Sequence, residues 1–318
     1  MFGILGLRKS EERRGFSRKA IEFNFAWLFA LLAGAVILFL AIYFASSLIK
    51  TSDKQTTSVT AKQLSIILEP METGLASAKK ISSISLEDET RIYNDCYESG
   101  AFGLQRVSLS SKTLGKWGSK SADIPITNKY IFSQDLEQGK DFYVFSKAWK
   151  MPWKVSELIF ITSSSFCFVD APEYIEDELE SLGLENIRFG NCSAEDKKVC
   201  FSGSCNIQVQ ELGNEDSMYG VVNKNGESLS YSGGLIYAAI FSSKDVYECN
   251  VKRLGKRLLQ QALIYEDESR FLSGICGSAN AISLINSARI SSSEDLIALN
   301  LLANEVDKQN EAAECNLW

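Results

Sequence analysis

A run of 27 residues without a charged side chain, residues 23–49, limits what this chain can be more than any other feature. A helix rises about 1.5 Å per residue, so about 20 apolar residues cross the hydrocarbon core of a bilayer. The apolar part of a cleavable signal is only about 7–15 residues long, and no clean small-x-small cleavage site follows this run. No second run of similar length is present to cover it as a buried core helix. The sequence therefore predicts a retained, single-pass transmembrane helix.

The charges around the run predict its orientation. Residues 1–22 hold six basic and three acidic side chains, a net +3; because the whole chain carries −7, residues 23–318 carry −10. Lys and Arg beside a span stay on the cytoplasmic side of the cell membrane. We therefore expect a cytoplasmic basic tail at residues 1–22 and a large C-terminal part outside, with the lipid bilayer as the first partner.

The eight cysteines all follow the span, on the predicted outer side. An even number of cysteines in an extracytoplasmic domain is typical of a disulfide framework. Eight cysteines allow about a hundred pairings, and sequence alone does not choose among them. We favour one local bridge among the third, fourth and fifth cysteines, and a bridge from the last to the sixth or seventh. In chain order they are Cys96, Cys167, Cys192, Cys200, Cys205, Cys249, Cys276 and Cys315.

Histidine is absent from the chain. This excludes Ser-His-Asp and Cys-His activation of a nucleophile, and it removes the commonest general base. The spacing of Cys200 and Cys205 is at the wide limit for zinc ligands, and no second pair accompanies them. We therefore expect no metal, no cofactor and no enzymatic activity. A hydrolase using paired carboxylates remains the catalytic alternative, and the acids nearest together lie at positions 176, 177, 178 and 180.

The residues after the span predict an α+β domain. Apolar residues at helical spacing predict a helical stalk over residues 50–80, interrupted by Pro70. Residues 81–318 then form the extracytoplasmic domain, with a mixed sheet, a β-α-β unit and C-terminal helices. The first part, residues 81–169, has strand-like alternation, and the apolar run at residues 156–169 predicts one interior strand.

A strand-helix-strand unit is predicted by "FCFVDAPEYIEDELESLGLENIRF", residues 166–189. Asp170 is in the position of a helix N-cap, with Pro172 in the first turn and Glu173 at capping-box spacing. Gly183 is in the position of a C-cap. A unit of this length favours a right-handed parallel crossover.

The C-terminal half predicts a turn, a strand and two helices. "NKNGE" at 223–227 indicates a turn, and the apolar run at 233–243 predicts a buried strand. Residues 244–268 carry an apolar stripe at helical spacing. Residues 291–315 predict a second helix, which starts at Ser291.

Several local motifs have a structural and a functional interpretation. The basic residues 252, 253, 256 and 257 are expected to form a solvated helix face, with an anionic lipid or glycan as the functional alternative. Gly233 and Gly234 come before a predicted strand and therefore do not predict a phosphate loop. Asn191 begins an N-x-[ST] glycosylation pattern. Trp318 is expected to pack against the folded domain rather than to extend into solvent. The acidic exterior argues against nucleic acid as a partner.

The pattern resembles a family of uncharacterised archaeal single-pass membrane proteins, from about Lys19 to Trp318. The resemblance rests on "KAIEFNFAWLFALLAGAVILFLAIYFA", "RIYNDC", "FCFVDAP", "VYECNVKRL" and "CNLW". It implies the same topology and an archaeal cell surface, and it implies no catalytic residue.

The N-terminus is also similar to type IV pilin-like subunits, in which a basic segment precedes a long apolar helix. That resemblance implies removal of a leader by a peptidase and assembly through Glu22, which would pair with a neighbour's amine. The spacing departs from the pattern, because cleavage between Gly15 and Phe16 would leave Arg18 and Lys19 in the mature helix.

Three functions follow from the sequence. The first is a non-enzymatic cell-surface protein that acts by binding or envelope assembly, with itself or another envelope protein. The second is a pilin-like filament or secretion-system subunit, and the third is an extracytoplasmic hydrolase that uses paired carboxylates. Leader cleavage separates the first from the second.

Overall fold

The computed structural model describes residues 25–47, 83–215, 217–278 and 281–318, in two compact units, residues 1–50 and 51–318. The predicted basic tail with Glu22 and the predicted stalk with Pro70 lie outside the described residues. The first unit contains helix α1, Phe25–Ser47, which is long and apolar enough to cross a membrane. Its side chains are exposed almost throughout. A helix with the length and apolar composition of a membrane span therefore lies where the sequence predicted one.

The second unit is α+β, as predicted, and its first part is a seven-stranded sheet. The strand order is β3-β2-β1-β6-β7-β5, with β4 also paired to β2. All neighbours are antiparallel except β5 and β7. The strands are β1 (Ser83–Tyr97), β2 (Leu104–Thr113), β3 (Lys116–Trp117), β4 (Ile124–Ile126), β5 (Tyr130–Phe132), β6 (Leu136–Lys150) and β7 (Lys154–Thr162).

A second sheet of six strands has the order β13-β12-β11-β10-β8-β9. Strands β9, β8, β10 and β11 are parallel, and β12 and β13 complete the sheet as an antiparallel hairpin. The predicted turn lies between the last two strands, where Asn225 and Gly226 both have positive φ. The strands are β8 (Phe166–Val169), β9 (Ile187–Phe189), β10 (Lys197–Cys200), β11 (Ile207–Glu211), β12 (Tyr219–Lys224) and β13 (Glu227–Ser232).

The prediction of one strand over residues 156–169 is wrong. The run divides into β7 and β8, which belong to different sheets. Ser163 donates from its backbone N and its hydroxyl to Glu137, and the backbone N of Ser164 donates to Thr162 Oγ1. The bond from Ser164 N to Thr162 is local and competes with continued strand pairing, so β7 ends here and the chain passes to the other sheet.

The β-α-β unit is confirmed, with helix α2 at Glu173–Leu182 between the parallel strands β8 and β9. Gly183 is its C-cap, in the left-handed conformation with φ 64°. The predicted N-cap is wrong: Pro172 has that position, and Asp170 instead accepts a bond from the Ser202 hydroxyl. Asp170 has φ 53°, so the chain turns there and the helix begins only after Pro172.

Four further helices complete the unit. They are α3 (Leu235–Phe241), α4 (Lys244–Leu272), α5 (Ile282–Ser287) and α6 (Asp295–Glu311). The buried strand predicted at 233–243 is wrong, because this stretch forms α3. That helix packs against β7 of the first sheet and β12 and β13 of the second, so every one of its side chains is buried. An apolar run of this length is compatible with a buried strand or with a buried helix, and periodicity alone does not distinguish them. A helix that is apolar on every side is one that other elements cover completely, as they do here.

The two long C-terminal helices are confirmed with shifted ends. Helix α4 begins after Ser243, whose hydroxyl accepts from Val246 N at 3.3 Å, and it runs to Leu272. Helix α6 begins at Asp295 rather than Ser291; the Asp295 carboxylate accepts bonds from Ser291, which therefore lies before the helix. Helix α5 was not predicted.

Two hydrophobic clusters form the core. The larger one joins both sheets with helices α2, α3, α4, α5 and α6. Among the described residues, the smaller one contains side chains of the first sheet only. A register shift between Ser85 and Thr90 lies where β1 changes its pairing with β6, and such bulges bend strands. The fully buried members are Ile92, Val107, Leu109, Ile126, Ile131, Phe142, Val144, Ile159 and Ile161.

Four disulfides link the second unit, and all eight cysteines are bridged. Cys200 pairs with Cys205 and Cys276 with Cys315, in agreement with the local bridge and the C-terminal bridge that we favoured. The other two pairs could not be chosen from the sequence. They are Cys96–Cys249, from β1 to α4, and Cys167–Cys192, from β8 to the loop after β9.

The C-terminus is docked, as predicted for Trp318. Its indole packs against Trp153 and Tyr265, with ring centroids 5.0 and 5.4 Å away. The indole Nε1 donates to Asp307 Oδ1 at 2.7 Å. The last residues therefore belong to the folded core.

Candidate functional site

The basic patch of α4 is not a solvated face. Arg253 is fully buried, and Lys252 and Lys256 reach Glu98 and the carbonyls of the chain beside it. The expectation of a solvated face is therefore wrong for the central residue. The reason is that this side of α4 packs on the first sheet, a contact that helical spacing alone does not reveal.

Arg253 is held by neutral acceptors. It donates to Gln105 Oε1 at 2.9 Å, to Asn250 Oδ1 at 2.7 Å and to the carbonyls of Phe102 and Thr127 at 3.1 and 3.0 Å. No carboxylate pairs with it in the described part of the chain. Burial lowers the pKa of Arg253 to about 10, which leaves it charged at neutral pH.

A buried polar network surrounds this guanidinium. Gln105 Nε2 donates to Asn94 Oδ1 at 3.0 Å and to Ile131 O at 2.7 Å, and Asn250 Nδ2 donates to the same carbonyl at 2.9 Å. Asn94 also donates to Ser133 Oγ at 3.0 Å. These groups join α4 to β1, β2 and β5. Because they satisfy one another, we assign the network to the architecture rather than to a ligand.

Only one of the acidic side chains of helix α2 is bonded to other side chains of the unit. Glu178 accepts from Lys147 and from the Tyr237 hydroxyl, the latter at 2.8 Å. Burial raises the pKa of Tyr237, which keeps it a donor. The remaining acids of this helix form no ion pair or hydrogen bond through their side chains among the described residues. They share the outer side of α2 at i, i+3, i+4 and i+7, and are Glu173, Glu176, Asp177 and Glu180, which we call the acidic side of α2.

A cleft of about 400 Å³ lies at the turn from β13 into α3. Gly233 and Gly234 do connect a strand to a helix, so the reason for rejecting a phosphate loop was wrong. However, a Cβ placed on Gly234 would lie 2.7 Å from Lys147 Cγ, so the glycine is required for packing against β6. The polar side chains that line the cleft bond to one another: Ser232 donates to Asn300 at 2.7 Å, and Asn300 and Asn304 donate to Ser217.

A second cleft of about 510 Å³ contains Lys224, whose amine donates to the last carbonyls of α3, those of Ala239, Ile240 and Ser242. A cation at a helix C-terminus complements the helix dipole. Burial, with a smaller contribution from Lys197, lowers the pKa of Lys224 to about 8. All three donors of the amine are used, so it caps the helix.

This burial predicts a dependence of stability on pH. Because the pKa of Lys224 is lower in the folded chain than the unfolded value of about 10.4, the unfolding free energy should rise between about pH 8 and pH 10, by at most about 1.4 kcal/mol per pH unit. Lys224→Met should remove this rise, whereas the exposed Lys244→Met should retain it. Denaturant unfolding at pH 7, 8, 9 and 9.5 checks the prediction, and equal slopes in wild type and Lys224→Met would contradict it.

The outer side of the first sheet combines aromatic rings with cations. The Arg91 guanidinium lies 3.9 Å from the centroid of Trp117, the Lys120 amine 3.7 Å from that of Tyr93, and the Arg106 guanidinium 5.0 Å from that of Tyr97. Cation–π contacts of this kind hold each cation beside a ring at the surface. The set, which we call the basic–aromatic face, is Arg91, Tyr93, Tyr97, Arg106, Lys112, Trp117 and Lys120; Lys116 pairs with Thr113 and lies on the opposite side of the hairpin.

Alternation along β1 and β2 builds this face. Side chains at every second position of a strand share one side, and the pairing Arg91↔Ser110, Tyr93↔Ser108 and Asp95↔Arg106 brings the two strands into register. Lys112 pairs with Glu89 at 2.7 Å and Arg106 with Asp123 at 3.9 Å, whereas Lys120 forms no ion pair among the described residues. The alternation was visible in the sequence, but the pairing that joins the strands was not.

The remaining predicted positions are dispersed. Asn191 is exposed in the loop after β9, next to the bridged Cys192, so its amide is accessible at the surface. Glu22 lies outside the described residues. Within the described ranges no three potential metal ligands converge.

No protein-family model, curated protein or solved structure matches this chain.

Proposed function

We propose that this chain is a non-enzymatic protein of the cell membrane, anchored by α1, with its N-terminus cytoplasmic and its α+β unit outside. The observation that carries the proposal is that the apolar helix and the disulfides lie in different parts of the chain. An exposed apolar helix occupies the first unit, and all eight cysteines are bridged in the second. Disulfides persist in oxidising compartments, and the positive charge of residues 1–22 favours the matching orientation.

The unit outside acts by binding or by envelope assembly. Support comes from how its acids are used, since Glu178 and Glu211 accept hydroxyl bonds from Tyr237 and Tyr174. Burial raises the pKa of both tyrosines, so each keeps its proton and donates it in a hydrogen bond to its carboxylate, which occupies these two acids within the fold. An archaeal cell surface is the setting that the family resemblance implies.

Intact mass of the membrane-extracted chain, with and without reduction, tests the anchor and the bridges together. We expect a chain that begins at or near Met1, with no cysteine alkylated before reduction and eight alkylated after it. A mass lacking about the first 15–20 residues would favour the pilin-like subunit. Eight reactive thiols before reduction would contradict the outside location of the domain.

The orientation has its own test with single-cysteine reporters. A membrane-impermeant maleimide applied to intact cells should label Ser119→Cys, in the exposed loop after β3, and should leave Ser10→Cys unlabelled until the cells are opened. The reverse labelling would contradict the proposed topology.

A further inference from the structure

The longest stretch without a charged residue after the run of α1 is residues 271–288, eighteen residues that span the end of α4 and all of α5. The next longest, residues 228–243, contains α3, whose side chains are all buried. In the longer stretch, by contrast, Phe271 is 77% exposed and Ile275 is 73% exposed. We call residues 271–278 the α4 tip. Exposed apolar side chains that lie together, unlike scattered ones, mark a surface that contacts a partner.

Helical spacing extends this surface back along α4 to Ile264, which is 66% exposed. Positions 264, 268, 271 and 275 are at i, i+4, i+7 and i+11, so they share one side of the helix. The backbone N of Ile275 and that of Cys276 both donate to Leu272 O, which continues the turn past the end of α4. Glu268 lies within the stripe and is exposed. The three apolar side chains therefore form one exposed stripe that ends at the tip.

The tip is fastened to the rest of the unit. Cys276 is bridged to Cys315, whose backbone N donates to Gly277 O at 2.9 Å. The backbone N–H groups of residues 273, 275, 276 and 277 all have acceptors within the unit, and the last of them donates to the Glu314 carboxylate at 3.4 Å. Backbone groups that leave water must be satisfied internally in this way. The apolar side chains are therefore presented by a fixed turn whose backbone is suited to an apolar surrounding.

The size and the charge of the stripe argue against a second copy of the chain as its partner. Its three apolar side chains expose on the order of 400 Å², whereas a stable protein interface buries about 800 Å² on each partner. In a two-fold pairing the stripe would face itself, so the Glu268 carboxylates of the two copies would approach each other near its middle. These like charges would weaken such a pairing.

A lipid surface fits the same features. Exposed Phe and Ile side chains enter the boundary between the headgroups and the acyl chains, about 5–10 Å deep. Glu268 is three residues before Phe271, about 4.5 Å farther back along the helix, so it stays at the level of the headgroups when the tip enters first. Its negative charge favours zwitterionic over anionic headgroups. We propose that the α4 tip inserts Phe271 and Ile275 into the outer surface of the membrane that holds α1.

This inference rests on the proposed function, because it needs the unit to be anchored by α1. Residues 48–82 separate α1 from β1 along the chain, and 35 residues span at most about 120 Å even when fully extended. The bilayer is therefore always within reach of the unit, and its effective concentration at the tip is high. A contact through a few side chains is favoured in this setting, whereas a free domain would make it only weakly.

Quenchers carried by the lipid test the contact in the full-length chain, reconstituted in phosphatidylcholine vesicles. Ser273→Cys places one free thiol in the tip, and a nitrobenzoxadiazole fluorophore can label it without reduction because the eight native cysteines are bridged. Ser119→Cys, in the exposed loop after β3, is the matched label position. A doxyl group near the headgroup end of the acyl chain should quench the fluorophore at position 273 at least about twofold, since the tip reaches about 5–10 Å into the boundary. The same lipid should leave the fluorophore at position 119 unquenched.

Replacing both apolar side chains of the tip, by Phe271→Ser with Ile275→Ser, should abolish the quenching at position 273. The matched control, Leu114→Ser with Leu301→Ser, removes two exposed apolar side chains elsewhere and should retain it. All four side chains are exposed, so both variants should keep the near-UV circular dichroism of the wild type.

Two results would overturn the inference. One is a fluorophore at position 273 that doxyl lipid does not quench; if that position is then also protected from aqueous iodide relative to position 119, the stripe is covered by protein, a second copy included. The other is quenching that persists in Phe271→Ser with Ile275→Ser. Neither result changes the alkylation pattern or the labelling of intact cells, which test the anchored topology separately.

Discussion

Replacing Arg253 by methionine is expected to lower the unfolding free energy by about 3–5 kcal/mol. Methionine fills much of the volume but donates no hydrogen bond. It would leave Asn250 Oδ1 and the carbonyls of Phe102 and Thr127 without the donor that they share, and Gln105 Oε1 would keep only its bond from Ile131 N. Each buried acceptor left unpaired costs about 1–3 kcal/mol, and the bonds of Arg253 to Gln105 and Asn250 are buried.

Two matched variants separate the buried role from loss of charge. Lys252→Met, one residue earlier, removes a cation that pairs with Glu98 at the surface and should cost less than about 1 kcal/mol. Arg253→Lys keeps the charge but loses the planar fork of donors, so it should fall between the two. Urea unfolding with the disulfides intact measures all three. A loss below about 1 kcal/mol for Arg253→Met would contradict the assigned role.

Removing the bridge between β1 and α4, by Cys96→Ser with Cys249→Ser, is expected to have the second large effect. The two cysteines are 153 residues apart, so the bridge restricts most of the unfolded chain. The chain-entropy relation gives about 5 kcal/mol for a loop of this length. The same bridge also fastens α4 over the buried network around Arg253.

The short bridge provides the control. Cys200 and Cys205 are only five residues apart, and the same relation gives about 2 kcal/mol for Cys200→Ser with Cys205→Ser. Thermal unfolding of the two double variants, followed by near-UV circular dichroism, compares them under identical conditions. An equal fall in stability for both would show that loop length does not determine the stabilisation.

Features that depend on neighbouring residues could be predicted from the sequence. Helix α1 follows from an unbroken apolar run, and the β8-α2-β9 unit from an apolar strand, an acidic first turn and Gly183. The turn at Asn225 and Gly226 follows from residues that tolerate positive φ. In each case a few consecutive residues determine the backbone.

Features that depend on distant residues could not be predicted in this way. The stretch that forms α3 is apolar throughout, and only burial between two sheets decides its conformation. Arginine is typical of an exposed helix position, yet the acceptors of Arg253 include Phe102, Gln105 and Thr127, which are 126 to 151 residues earlier in the chain. The basic–aromatic face likewise needs the register of β1 and β2.

The late position of α4 in the chain also has a kinetic consequence for the first sheet. Strand β1 is the first part of the second unit to be synthesised among the described residues, yet the helix that closes the buried network beside it follows about 150 residues later. At about 5–20 residues per second, this interval lasts roughly 8–30 s. Throughout it, Gln105 Oε1 lacks the bond from Arg253, and Cys96 lacks its partner Cys249. The first sheet and its buried network therefore finish folding only after α4 has been synthesised. Until then, the thiol of Cys96 must be kept from pairing with another cysteine.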